Sequence, residues 1–387
     1  MNKTIKDLIV LAALTLSITI LIWLPHLLAI PSFWGLNFSN GFATIYRNFD
    51  GLEYVIIART FYDPELIGSL DQPLSANYFS SHFPGYSIAI ALFAPILGYL
   101  KSMLFVSISS TILAVWAFYF FVKNLKLSSH PLFLSFIFLI FPARWLIVHS
   151  IGSSEPLFIF LIITTLYFFI RFEQTGHSND IFIAAITGFF AQITRPPGIL
   201  LFIALSLFLF WKVIKDRIHS TSIIRILGTN SPLLLIPLGL LSIFTWYSIT
   251  YQDFFAYFKS GDNIHLTFPP FQVFNKDQFW VGDIWLEDII YTFVLGFLGG
   301  VILWKRKLYT VAFFVLTYLT ASIFIAHRDV SRYILPITPF ILIAFEKVLT
   351  SKEFKIILPI ILLAIYLYAQ NFILSNAAPI PNLEIFN

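Results

Sequence analysis

Asp50 and Glu53 stand three residues apart in the run Asn48-Phe49-Asp50-Gly51-Leu52-Glu53-Tyr54. On a helix that starts at Asp50 the two carboxylates are neighbours on one face, an arrangement suited to accepting a proton. The same spacing is close to a capping box, in which both residues satisfy the helix start, and the two roles are compatible. Arg328 and Arg332, in His327-Arg328-Asp329-Val330-Ser331-Arg332-Tyr333, are four apart. On a helical turn both would face one anion, and guanidinium groups grip phosphate through paired hydrogen bonds; contact with lipid headgroups is the alternative. Arg195 stands at a Pro196-Pro197 break, where a structural or a cavity-lining role can be read. Arg144 lies in an apolar stretch, where an unpaired guanidinium costs at least ~2.5–3.5 kcal/mol. Glu155, across the following turn, is its expected partner, either as a structural ion pair or as part of a site.

Other chemistries are poorly served. The chain has no cysteine, which excludes disulfides, thiol catalysis and thiolate-bound metals. Asp253, Asp262, His265, Asp283, Glu287 and Asp288 form a polar set whose spacing matches no metal motif. No metal or other cofactor is therefore expected, although carboxylates alone are compatible with a divalent ion. Phosphate-binding glycine loops, nucleophile elbows and nucleotide fingerprints are also missing. A soluble nucleotide is an unsuitable substrate, and no nucleic-acid partner is expected.

These groups must be positioned by elements that sit in lipid. Of 387 residues, 58% are hydrophobic and 11% charged, and the mean hydropathy is +0.84. Soluble domains carry about 25% charged residues. Apolar stretches at 8–30, 102–122, 232–250 and 355–374 are each long enough to cross a ~30 Å hydrocarbon core as a helix. The first follows Lys3 and Lys6 and is read as a retained signal anchor.

Basic short loops mark the cytoplasmic side. Lys3/Lys6, the 212–225 segment, Lys305-Arg306-Lys307 and Lys347/Lys352/Lys355 are placed inside. That leaves 31–83, 251–284 and the 327–333 turn outside. The count between 83 and 214 closes only if one apolar segment does not span. The segment 84–100, interrupted by Gly85, Pro95 and Gly98, is taken as re-entrant or interfacial. The expectation is an all-α polytopic bundle of about 11 spans, one integral membrane domain over 1–387 in the plasma membrane, its N-terminus cytoplasmic. Outer loops at 31–83 and 251–284 are rich in Tyr, Trp and Phe, which favour the headgroup level; the first is large and bears interfacial helices.

The ordered pieces Phe49-Asp50-Gly51-Leu52-Glu53-Tyr54, His82-Phe83-Pro84-Gly85-Tyr86, Phe141-Pro142-Ala143, Ser154-Glu155-Pro156-Leu157-Phe158, Thr194-Arg195-Pro196-Pro197-Gly198 and Ser331-Arg332-Tyr333-Ile334-Leu335-Pro336 together resemble the GT-C superfamily of membrane glycosyltransferases. The closest resemblance is to the bacterial mannosyltransferase-like branch related to the GPI mannosyltransferases. The family pattern commonly has Trp where this chain has Phe49, and often Leu where it has Gly85.

The resemblance implies transfer of a hexose, mannose in that branch, from a polyprenyl-phosphate donor to a hydroxyl of a glycan, lipid or protein at the outer face. It makes Asp50 the catalytic carboxylate, with Glu53 in support. Arg195, Arg328 and Arg332 would face the donor phosphate, with Arg59, His82, Arg144, Glu155, His327 and Tyr333 as further substrate contacts. The chemistry agrees, because the leaving phosphate is already a stable anion and needs no acid of the kind glycosidases use. One base and several cations suffice for an inverting displacement. A lipid-sugar flippase or transporter would share the polar groups but place its site near the midplane, usually between repeated halves, and no repeat is visible. An outer-face glycan polymerase or ligase would lack the Asp-x-x-Glu pattern.

Overall fold

A computed structural model describes residues 3–386 apart from 49, 217–219, 261–265, 279 and 281–286, and apart from the side chains of 220–222. The candidate residues Asp262, His265 and Asp283 lie outside the described residues. The chain is a helical, multi-pass membrane protein. Among the described residues extended pairing is limited to isolated bridges such as Asn48 with Ala377 and Leu266 with Ile325. Lipid dictates this, since a helix satisfies its own backbone where no water can.

Among the described residues, seven helices are long and apolar enough to cross a membrane. An eighth crossing results if the bent pair Pro131–Ile140 and Ala143–His149, which meet at 79°, counts as one. The expected number of about 11 is reached only by adding three shorter apolar helices, Gly85–Leu97, Tyr309–Ser322 and Val330–Ala344. Hydropathy alone merges these with full spans, because length is what separates them.

By packing, the chain forms two compact units, one of residues 1–160, 244–261 and 346–387, the other of 161–243 and 262–345. The first contains α1 (Lys3–Leu27), α2 (Gly51–Thr60), α3 (Gly85–Leu97), α4 (Tyr99–Asn124), α5 (Pro131–Ile140) and α6 (Ala143–His149). Helix α2 is enclosed: every residue from Gly51 to Ala58 is buried, and it packs against α3 and α4. Helix α3 is separated from α4 by Gly98, whose φ of +77° is a conformation other residues enter only under strain. Its 13 residues rise about 20 Å, short of a full crossing.

Helix α7 (Glu155–Thr175) begins in the first unit. The second contains α8 (Ser178–Thr194) and α9 (Ile199–Lys215), divided by a 3-10 turn at Pro196–Gly198. Helix α10 (Leu235–Thr250) ends in the first unit. The second unit also holds α11 (Glu287–Lys305) and α12 (Tyr309–Ser322), which pack on each other, with α12 also against α9. Its basic ends are tied locally, Lys212 to Glu173 and Arg171 to Asp180 at 3.4 Å. Helix α13 (Lys352–Ser375) returns to the first unit and packs on α6.

Candidate functional site

Asp50 occupies the position just before α2, and Glu53 lies in that helix's first turn. The Asp50 side chain makes no capping bond, so the capping reading does not account for it. The start of α2 lies so close to the 150–154 turn that a Cβ on Gly51 would come 3.0 Å from the Gly152 carbonyl and 2.9 Å from Met103 Sδ. That close approach sets the place of the two carboxylates.

His82 arrives from a different element, the 3-10 turn Ala76–Ser81. Its Nε2 lies 3.7 Å from Glu53 Oε2 and 3.9 Å from Asp50 Oδ2. The three ligand atoms fall within 4.8 Å of one another. Glu53 and His82 are closed in, with side chains 3% and 11% exposed, whereas Asp50 is 32% exposed. Asp50 is therefore the member of the cluster that a bound molecule can reach.

Ser81 Oγ donates to the Tyr78 carbonyl at 2.8 Å and lies 2.8 Å from His82 Nδ1, while the two carboxylates face Nε2 of the same ring. Two carboxylate oxygens with an imidazole nitrogen suit a divalent ion such as Mn²⁺, and the other ring nitrogen of a ligating histidine characteristically has a hydrogen-bond partner, as His82 Nδ1 has in Ser81. The residues thus fit a divalent metal, which the spacing of the sequence did not suggest.

Further contacts fix this frame. Tyr62 OH donates to the His82 carbonyl at 2.6 Å, and burial pushes its phenol well above the usual range, keeping it a donor. The Tyr54 ring meets His82 and Tyr86 edge-on, each at 5.1 Å, and its hydroxyl pairs with Ser154 Oγ at 2.9 Å. Tyr86 OH donates to the Met103 carbonyl at 2.8 Å and accepts from Ser153 N at 3.1 Å. The Ser153 hydroxyl donates to the buried Glu155 carboxylate. Segment 251–260 supports the His82 turn, through Tyr251 OH on the Ala76 carbonyl at 3.1 Å and Ser80 Oγ on that of Ala256 at 3.0 Å.

Two further sequence candidates lie in this unit. Arg144 lies over the Phe372 ring, 3.9 Å from its centroid, a cation–π contact. Arg59, exposed at the end of α2, donates to the Ile385 carbonyl.

The remaining candidates lie in the second unit. Arg195 is buried, extended at φ −149° and ψ 144° as a residue before proline should be, and its carbonyl accepts from Gly198 N at 3.0 Å. Arg328 and Arg332 do not share a helical turn. The helix there is only Val330–Tyr333, so Arg328 precedes it and is exposed. Arg332 is buried, its Nη1 3.8 Å from Asp329 Oδ2. Asp329 N donates to His327 Nδ1 at 3.1 Å, and the His327 ring lies between Tyr333 and Trp280, at 5.3 and 6.1 Å. The expected shared helical turn is thus corrected: one guanidinium is open and the other enclosed. Sequence reasoning also missed Ser81, Tyr62 and Asn48, which carry no motif of their own.

No protein-family model and no curated protein matches the chain. Solved structures do. Two are of the oligosaccharyltransferase of the archaeon Archaeoglobus fulgidus. One, AglB with an inhibitory peptide and a dolichol-phosphate, gives a TM-score of 0.54 at 13% identity, covering 98% of this chain and 56% of that one. The other, tethered to an acceptor peptide with an NVT sequon, gives 0.53 at 13% identity with the same coverage. The chain has the GT-C type of fold, and spans little more than half the length of these neighbours.

Proposed function

We propose that the chain is a membrane glycosyltransferase that moves a sugar from a polyprenyl-phosphate donor to an acceptor at the outer face, with Asp50 as the base. The observation that carries this reading is the convergence of Asp50, Glu53 and His82 on one point at the start of an enclosed helix, in a chain of GT-C fold. A dolichol-phosphate in one structural neighbour is the kind of lipid the reading requires.

Asp50, the open carboxylate of the three, takes the proton of the acceptor hydroxyl as that oxygen attacks the sugar carbon bearing phosphate. The attack comes from the face opposite the leaving group, so the configuration inverts. Glu53 and His82 hold Asp50 in place and keep its oxygen turned to the cluster. Asp50, Glu53 and His82 would hold a divalent metal, which when bound supplies positive charge for the departing phosphate. The sugar is a hexose, mannose by resemblance to the mannosyltransferase-like branch. A peptide acceptor is the second reading, favoured by the acceptor peptide in the other neighbour.

The test is incubation of purified protein with a panel of polyprenyl-phosphate sugars and with alcohol, glycan and peptide acceptors. Donor consumption is expected with one of them, falling by about 10²–10⁴-fold in Asp50→Asn while the protein elutes as folded. Full activity in that variant would remove Asp50 from its role. Product from a peptide acceptor alone would select the second reading.

A further inference from the structure

No side-chain capping bond closes the start of the helix that presents Asp50 and Glu53. Ten residues are also too few for a helix to be stable by itself. Both of its ends are instead tied to one stretch of chain. On the leading side, Asn48 is fully buried, and its Nδ2 donates to the Ile373 carbonyl at 2.6 Å. Its backbone forms an antiparallel bridge with Ala377, and Ala378 N donates to the Arg47 carbonyl at 2.5 Å. On the trailing side, Arg59 donates to the Ile385 carbonyl.

Segment 373–386 therefore runs beside α2 from ahead of its first turn to its last. The reach is sufficient, since seven steps of chain from Ala378 to Ile385 can cover up to about 23 Å, whereas the ten residues of α2 rise about 15 Å. Ile373, Ile380 and Phe386 are buried and act as pegs. The root of the segment is anchored in turn. Gln370 Nε2 donates to the Ile22 carbonyl at 2.9 Å, its Oε1 lies 3.1 Å from His26 Nε2, and Phe372 lies under Arg144.

We propose that 373–386 is a strap that sets the register of α2, with Asn48 and Arg59 as positioning residues for Asp50 and Glu53. Its consequence for activity rests on the glycosyltransferase reading. Arg59 then acts through α2 and not on the substrate.

Ile380→Asp dislodges the strap without touching α2, and Asn48→Ala removes the leading tie. Amide hydrogen exchange and donor turnover are measured on the full-length wild type and both variants. Exchange across 51–60 is expected to rise at least about tenfold in each, with α9 unchanged as the sign of a folded protein. The kcat is expected to fall at least about tenfold, KM for the donor moving less than about threefold; Arg59→Lys, which keeps a donor, should retain more activity than Arg59→Met. Unaltered exchange over 51–60 in Ile380→Asp overturns the strap whatever the activity. Altered exchange with unaltered kcat overturns the positioning role. A wild type that consumes no donor, yet whose exchange responds to Ile380→Asp, refutes the glycosyltransferase reading and leaves the strap standing.

Discussion

At the scale of single residues, the sharpest electrostatic demand in the first unit is the one made around His82. Its Nε2 and one oxygen from each of two carboxylates lie within 4.8 Å of one another, and two carboxylates so close are strongly coupled. A divalent ion relieves that demand, so Mn²⁺ is expected to bind wild-type protein, as read by electron paramagnetic resonance. His82→Gln should weaken binding by about 10–100-fold; equal binding by the two would exclude His82 as a ligand. The Asp50–Glu53 pair was legible because three-residue spacing is a property of the helix itself. His82 was expected only as a substrate contact, and its place beside the two carboxylates was not legible, since only the tertiary path of the 76–82 turn brings it there. The shared turn expected of Arg328 and Arg332 is absent for a related reason: spacing of four implies one face only where a helix already exists, and here it starts at Val330.

At the scale of elements, the site depends on how closely α2 meets the 150–154 turn. The three atoms nearest a methyl on Gly152 all belong to the Met103 side chain, the closest at 2.3 Å, and a methionine can swing aside. On Gly51 it would also meet the Gly152 carbonyl at 3.0 Å and Cα at 3.3 Å, which are backbone and cannot. Gly51→Ala is therefore expected to cost more, about 1–3 kcal/mol, despite the shorter contact at the other position. Thermal unfolding of the two variants in detergent checks the order, and a lower midpoint for Gly152→Ala would reverse the account. Among elements, the Pro196-Pro197 break was legible because proline imposes it. The 79° bend between α5 and α6 lies within one apolar run, and hydropathy does not report direction. The strap was invisible because 376–386 has neither periodicity nor unusual composition.

At the scale of the whole molecule, composition alone made the lipid-embedded helical class legible, since 58% hydrophobic residues leave no soluble alternative. The number of crossings was less so, because a helix of 13 residues scores like part of a longer one. The sidedness proposed for Asp50 rests on the distribution of lysine and arginine, and the absence of cysteine makes it directly testable. Ser69 and Lys307 are both exposed and are assigned to opposite faces. In intact cells a membrane-impermeant maleimide should label Ser69→Cys and spare Lys307→Cys until the cells are opened. The reverse pattern would put the carboxylate cluster on the cytoplasmic side.

The short helix α3 bears on the lipid as well as on the protein. Leu92 and Ile96 are 72% and 82% exposed, so apolar side chains near its end must be covered by acyl chains. Lipid beside a helix about 10 Å too short for the hydrocarbon core thins to match it, at a fraction of a kcal/mol per Å. A thinner host bilayer is therefore expected to match this segment at lower cost than a thicker one.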